Sequence, residues 1–234
     1  MKYLKIAYYG LYLILLRIKG FKRDFIHKVK GEEAAWKYGQ EVFLKWANFT
    51  INVVGMDISV EGKENIPDET CVFIGNHQSI LDIPVLRYST GRQLDFVAKK
   101  ELVKVPVLGY WMTHLKSVAL DRDNPREGMK AMNIAINNIK EGYSFVIFPE
   151  GSRSKDGSIG EFKKGSTKLV TKTKVPVVPF ALNGTSACFE DTRNFIPGKI
   201  KIKFGKPIYV DSMSKEEEKV LSDTIRNEVC RLYK

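Results

Sequence analysis

Two apolar runs, Cys71-Val72-Phe73-Ile74-Gly75 and Phe145-Val146-Ile147-Phe148, constrain the fold of this chain more than any other feature. Each reads as a short buried strand. A polar cluster follows each at once: Asn76-His77-Gln78-Ser79-Ile80-Leu81-Asp82 after the first, and Pro149-Glu150-Gly151-Ser152-Arg153-Ser154 after the second. Polar clusters at the ends of buried strands predict one site at the strand ends of an α/β sheet, where such folds put their chemistry.

The rest of the chain alternates in the same way. Ile58-Ser59-Val60 and Phe96-Val97-Ala98 read as short strands, and Val175 to Leu182 as a longer one. Asn124-Pro125-Arg126-Glu127 opens a helix with a cap residue, a proline at the first helical position and an acid in the first turn. Met129, Met132, Ile136 and Ile139 recur on its expected inner face, and Gly142 ends it. Lys199 to Phe204 alternates strictly and reads as a half-exposed edge strand whose lysines discourage pairing. Ser214 to Glu217 is a capping box that opens the last helix. Strands alternating with helices imply a layered, mostly parallel α/β sheet flanked by helices.

A chain of 234 residues fits one large domain, or one domain with an appended segment. Its formal net charge of +11 draws it to anionic partners, either lipid headgroups, phosphorylated substrates or nucleic acid. Cys71, Cys188 and Cys230 form no metal-ligand spacing and read as reduced thiols in a cytosolic setting. Ile6 to Leu16 is uncharged but about half of the roughly 20 residues a spanning helix needs. Lys2, Lys5, Arg17 and Lys19 flank it, and Tyr3, Tyr8, Tyr9 and Tyr12 lie within or beside it, which suits a helix in the membrane interface. The other reading is a buried or oligomer-forming helix. Residues 32 to 56 form a second helix, with Trp36 and Trp46 as membrane or core anchors. The expected organisation is an N-terminal helical hairpin over 1–56 that docks on the membrane, and an α/β domain over 57–234.

His77 alone among three histidines follows a buried strand with a carboxylate close by. Asp82 lies five positions on, the wrong spacing for one helical face. Across a tight turn it can accept a hydrogen bond from one ring nitrogen, leaving the other as a general base. The pair is either that or a hydrogen bond that locks the loop. No G-x-S-x-G elbow surrounds Ser79, so the base is expected to activate a hydroxyl of the substrate. Arg153, beside Ser152, Ser154 and Lys155, is a planar receptor for phosphate. Lys99 and Lys100 add charge that can converge on the same anion.

These motifs, Asn-His-Gln-x-x-x-Asp and, about seventy residues later, Phe-Pro-Glu-Gly-Ser-Arg-Ser, closely resemble those of the glycerolipid acyltransferases, specifically the 1-acyl-glycerol-3-phosphate acyltransferases. Lys99-Lys100-Glu101-Leu102 with Pro106 and Gly109, Asp121-Arg122, Phe162-Lys163-Lys164-Gly165 and Val175-Pro176-Val177-Val178-Pro179 resemble the family's intermediate blocks, in order, from about residue 70 to 182. Ser152 stands where many members carry threonine, and the hydroxyl is kept.

The resemblance implies acyl transfer from an acyl thioester to the free hydroxyl of a lysophosphatidate, giving phosphatidate without a covalent intermediate. His77 would take the proton and Asp82 would orient it. Lys99 or Lys100 and Arg153 would hold the phosphate, with Glu150 positioning the hydroxyl, Ser152 in the binding loop and the Gly151 amide near the oxyanion. It implies no cofactor and no metal, an acyl-CoA or acyl carrier protein donor, and peripheral or monotopic attachment to an anionic membrane surface at the cytoplasmic face. Glycerol-3-phosphate or another lysolipid is the alternative acceptor. A serine hydrolase would need Ser79, and a nucleic-acid binder would need modules absent from the sequence: an RNP-like strand, a GXXG clamp or a zinc knuckle.

Overall fold

The computed structural model describes residues 2–154 and 157–234, with side chains from Leu4 onward. Lys155 and the side chains of Lys2 and Tyr3, named above, lie outside the described residues. Among the described residues, seven strands form one sheet: β1 (Met56–Glu61), β2 (Val72–Gly75), β3 (Asp95–Lys99), β4 (Val118–Leu120), β5 (Phe145–Ile147), β6 (Val177–Asn183) and β7 (Gly198–Phe204). Their spatial order is β1-β7-β6-β2-β5-β3-β4. From β6 through β4 neighbouring strands are parallel, whereas β7 runs antiparallel to β6 and carries β1 parallel on its outer side. Five strands therefore deliver their carboxyl ends to one edge of the sheet.

The pleat sends alternate residues to opposite faces, and both faces are covered. Val72, Ile74, Phe145 and Ile147 face α4 (Pro125–Lys140), α5 (Lys168–Thr173) and α7 (Lys215–Tyr233). Phe73, Val146, Val178 and Phe180 face α1 (Lys2–Val54) and α2 (Asp82–Thr90). Phe73, Phe145, Phe180 and Phe204 are fully buried, and each contributes about 2–3 kcal/mol by leaving water. The short helices α3 (Leu108–His114) and α6 (Thr185–Phe189) fill the connections after β3 and β6.

Helix α1 is broken at Gly31, whose φ of 84° lies in a region that favours glycine. The two arms, 2–30 and 32–54, fold back on each other. Tyr12 stacks on Phe49 with ring centroids 3.7 Å apart, and the Tyr9 hydroxyl lies between Thr50 and the Trp46 indole. Arg23 and Glu32 close the bend at 3.0 Å. The second arm is part of the protein core: Trp36, Val42, Ala47, Ile51 and Val54 are buried. The first arm instead exposes Leu4, Leu11, Ile14, Leu15, Ile18, Phe21 and Phe25.

Two sequence expectations change here. β7 is not an edge strand, because β1 pairs outside it; the alternating lysines mark an exposed face, where Lys201 pairs with Glu61 at 2.7 Å. Met129 points to solvent rather than inward. The buried stripe of α4 runs through Gly128, Ala131, Ala135, Ile136 and Ile139, and Met129, one residue past Gly128, lies about 100° round the helix from it. The caps at Asn124 and Ser214 form as the sequence predicts.

Candidate active site

The site begins where β2 runs out. A Cβ at Gly75 would run into the Phe180 carbonyl oxygen, so glycine lets β2 and β6 approach closely. One residue on, the Asn76 carboxamide takes over from the backbone: its Nδ2 donates to the Leu182 carbonyl and its Oδ1 accepts from the Leu182 amide, both at 2.8 Å. Gln78 does similar work, accepting from the Gly184 amide at 3.1 Å and donating to the Tyr233 hydroxyl at 2.8 Å. Between these anchors stands His77.

Asp82, the first residue of α2, is fully buried and folds back over this turn. Its Oδ2 accepts from the amides of Gln78 and Ser79, at 2.7 and 3.0 Å, and lies 2.7 Å from His77 Nδ1. Its Oδ1 accepts the Thr185 hydroxyl at 2.5 Å. An ionised carboxylate only accepts, so Nδ1 carries a proton and Nε2 is left as the basic nitrogen. The imidazole stacks on Phe148 with centroids 4.0 Å apart, and its side chain is 19% exposed. A held, reachable ring nitrogen is what general-base chemistry requires.

The second polar cluster is stitched to the first. The Ser154 amide donates to the His77 carbonyl at 2.8 Å, and Glu150 Oε1 accepts the His77 amide at 2.9 Å. Glu150 Oε2 accepts the Gly160 amide at 3.0 Å. Burial pushes the Glu150 carboxyl above its ordinary range, opposed by these two amides. Both oxygens thus tie loops together around His77. The Gly151 amide is not available to an oxyanion: it donates to the Phe148 carbonyl at 3.1 Å, closing the Phe-Pro-Glu-Gly turn. Ser152 is exposed just beyond that turn.

Arg153 Nη1 donates to Glu190 Oε1 at 2.6 Å. Lys99 and Lys100 leave the same sheet edge from β3, two strands from β2. Lys99 pairs with Glu101 at 3.5 Å and Lys100 with Asp121 at 2.7 Å. Thr185 and Glu190 escape sequence reading altogether. Each meets the His77 turn from more than a hundred residues away, and neither lies in a run that signals a site.

Two hollows flank the strand ends on opposite faces of the sheet. An apolar cavity of about 250 Å³ is walled by both arms of α1 through Leu13, Leu16 and Phe43, by Ile80 and Ile83 beside the His77 turn, and by Trp111 and Met112. A cleft of about 180 Å³ on the other face takes Phe148 and Gly151 with Arg122 and Lys163. Among the described residues, no cluster of His, Cys, Asp and Glu can hold a metal ion, and no helix is long and apolar enough to cross a membrane.

The imidazole of His77, paired with buried Asp82, thus stands at the carboxyl edge of a mostly parallel sheet, and an apolar cavity opens beside the turn at Ile80 and Ile83. Residues 57–183 match the sequence model of the Acyltransferase family, and the chain belongs to that family. It is 36% identical over 189 residues to a chloroplastic 1-acyl-sn-glycerol-3-phosphate acyltransferase of Brassica napus, an alignment that covers 79% of this chain and 53% of the relative. The enzyme of that name from Pseudomonas aeruginosa is 32% identical over 73% of this chain and 68% of its own. The crystal structure of the 1-acyl-sn-glycerophosphate acyltransferase PlsC from Thermotoga maritima superposes with a TM-score of 0.78 at 30% identity, covering 99% of this chain and 98% of that one. This chain spans about half the length of the plant relatives.

Proposed function

We propose that this protein moves an acyl group from an acyl thioester to the free sn-2 hydroxyl of 1-acyl-sn-glycerol-3-phosphate, forming phosphatidate. The observation that carries this reading is the 2.7 Å contact between His77 Nδ1 and buried Asp82, which leaves Nε2 as a base; Ile80 and Ile83, just past it in the chain, line the apolar cavity. Nε2 takes the hydroxyl proton as the oxygen attacks the thioester carbonyl. The tetrahedral intermediate then collapses, expelling the thiolate, and the imidazolium returns the proton to sulfur. Asp82 holds the ring and stabilises its charged form throughout. The cavity takes an acyl chain, and Arg153 with Lys99 or Lys100 takes the acceptor phosphate. The enzymes named above, from Brassica napus, Pseudomonas aeruginosa and Thermotoga maritima, support the acceptor.

Ser79 supports transfer to a substrate hydroxyl rather than to the enzyme. Its hydroxyl donates to Glu190 at 3.3 Å and accepts the Leu81 amide at 3.1 Å, a structural use of both its functions. The donor is acyl-CoA or acyl carrier protein, with no cofactor. The same reading docks the first arm of α1 on an anionic membrane surface at the cytoplasmic face, as a monotopic or peripheral protein. Its exposed Leu11, Ile14, Ile18, Phe21 and Phe25 and the cations Lys5, Lys19 and Lys22 support this.

The deciding experiment incubates the protein in mixed micelles with oleoyl-lysophosphatidate and, in separate arms, acyl-CoA or acyl carrier protein thioester, with His77→Ala alongside. Phosphatidate from wild type alone is the expected result. Product from glycerol-3-phosphate but not from lysophosphatidate would move the acceptor, and no product from either would end the reading.

A further inference from the structure

Glu190 gathers more donors than a surface carboxylate has reason to. Its Oε1 accepts Arg153 Nη1 at 2.6 Å, the Ile80 amide at 3.1 Å and the Ser79 hydroxyl at 3.3 Å. Its Oε2 accepts Arg193 Nη1 at 2.8 Å. The side chain is 13% exposed, whereas Arg153 and Arg193 are 42% and 67% exposed. A nearly buried anion, tied to the turn that carries His77, therefore holds two outward-facing guanidinium groups. Burial raises the Glu190 carboxyl, but the Ile80 amide and the two arginines outweigh it and keep the group below its ordinary range.

We infer that Arg193 is a second guanidinium for the acceptor's phosphate, fixed beside Arg153 by the shared carboxylate of Glu190, and that the two together select a phosphomonoester. This rests on the proposed acyl transfer to lysophosphatidate. Charge supplies the reason. A phosphomonoester carries about −1.5 to −2 at neutral pH. Glu190 cancels one arginine, so Arg153 alone would present no net charge; with Arg193 the group of three is positive by one. Each guanidinium offers five N–H donors in a plane and gives Glu190 one at the distances above, so most of each fork is turned outward.

Arg193 is also held in place on its own side. Its backbone adopts a left-handed φ of 55°, its amide donates to the Phe189 carbonyl at 2.7 Å, and its guanidinium lies over the Phe189 ring at 5.9 Å. An isolated exposed ion pair would leave this side chain to wander. Here the turn after α6, the aromatic ring and a carboxylate fix the same group.

The test compares wild type with Arg193→Ala, Arg193→Lys and Glu190→Asp in the mixed-micelle assay, varying lysophosphatidate and thioester separately. Arg193→Ala is expected to raise KM for lysophosphatidate about fivefold, the order of one partly exposed charged contact, with kcat and the thioester KM unchanged. Arg193→Lys should recover part of that loss, because it keeps charge without the fork. Glu190→Asp keeps the charge but shortens the reach to both arginines, so it should raise the same KM. An Arg193→Ala enzyme with wild-type KM for lysophosphatidate would overturn the inference and leave the acyltransferase reading standing. Absence of phosphatidate from wild type would instead remove that reading, and this inference with it.

Discussion

The hydroxyl of Thr185 donates across 2.5 Å to one oxygen of Asp82 while the other oxygen faces His77. Thr185 is fully buried at the head of α6, so β6 and β2 both contribute to the orientation of one imidazole. Thr185→Val keeps the shape and leaves a buried carboxylate oxygen short of a donor, at a cost of about 1–3 kcal/mol. We expect kcat to fall, by about fivefold or more if that cost is felt at the imidazole. Thr185→Ser should restore it. A Thr185→Val enzyme with unchanged kcat would make the contact purely architectural.

His77→Ala should lower kcat by about 10²–10⁴-fold, the range for a general base. Ser79→Ala should keep much of the activity, because its hydroxyl only braces Glu190 and the Leu81 amide. Equal inactivity of the two variants, with matching circular dichroism, would point to a serine nucleophile instead.

Arg153→Ala should raise the KM for lysophosphatidate more than that for the thioester, by about tenfold for loss of a charge-assisted contact. Initial rates with each substrate varied in turn check this. The opposite pattern would take Arg153 out of the acceptor site.

Away from the site, Asp95 is buried among Trp36, Gln40 and Ser117, and burial pushes its carboxyl up from 3.8 to about 6. A carboxyl whose folded pKa is raised favours the folded state below its unfolded value. That advantage is lost as pH rises through about 6. Asp95→Asn should therefore be better tolerated at pH 7.5 than at pH 4, because it removes a carboxyl that is harder to bury once ionised. Part of that difference is offset at Arg87, which loses an opposing charge. Thermal melts at the two pH values measure the difference, and equal shifts at both would refute the assignment.

Leu11, Phe21 and Phe25 lie exposed on the first arm of α1. Changing all three to serine should leave the melting temperature within a few degrees and weaken flotation with anionic liposomes by an order of magnitude or so. Undiminished flotation would refute membrane docking through this face. Removing residues 1–56 is the wrong test, because the second arm fills the core through Trp36, Ile51 and Val54.

The layered sheet was legible because its central strands are short, wholly apolar and closed by polar turns. The pairing of His77 with Asp82 was legible for a related reason: both lie in one turn, and local geometry fixes their meeting. β4 went unread, since Val118–Leu120 is too brief to show a period. The place of β7 was misread because alternation reports which face is wet and says nothing about a further strand beyond it. The part Gly151 plays was not legible, because a glycine after a proline turn reads equally as a donor or as a turn residue; its amide bonds to the Phe148 carbonyl. Thr185 and Glu190 were invisible for a different reason. They reach the site through the tertiary return of β6, and no spacing along the chain records that.

The side chain of Asn76 exchanges two hydrogen bonds with the backbone of Leu182, so the ladder between β2 and β6 gains a rung after β2 has ended. His77 is the next residue. The imidazole consequently shares the opening free energy of the central sheet rather than that of a surface loop, and fluctuations that unseat it must first fray β2 and β6.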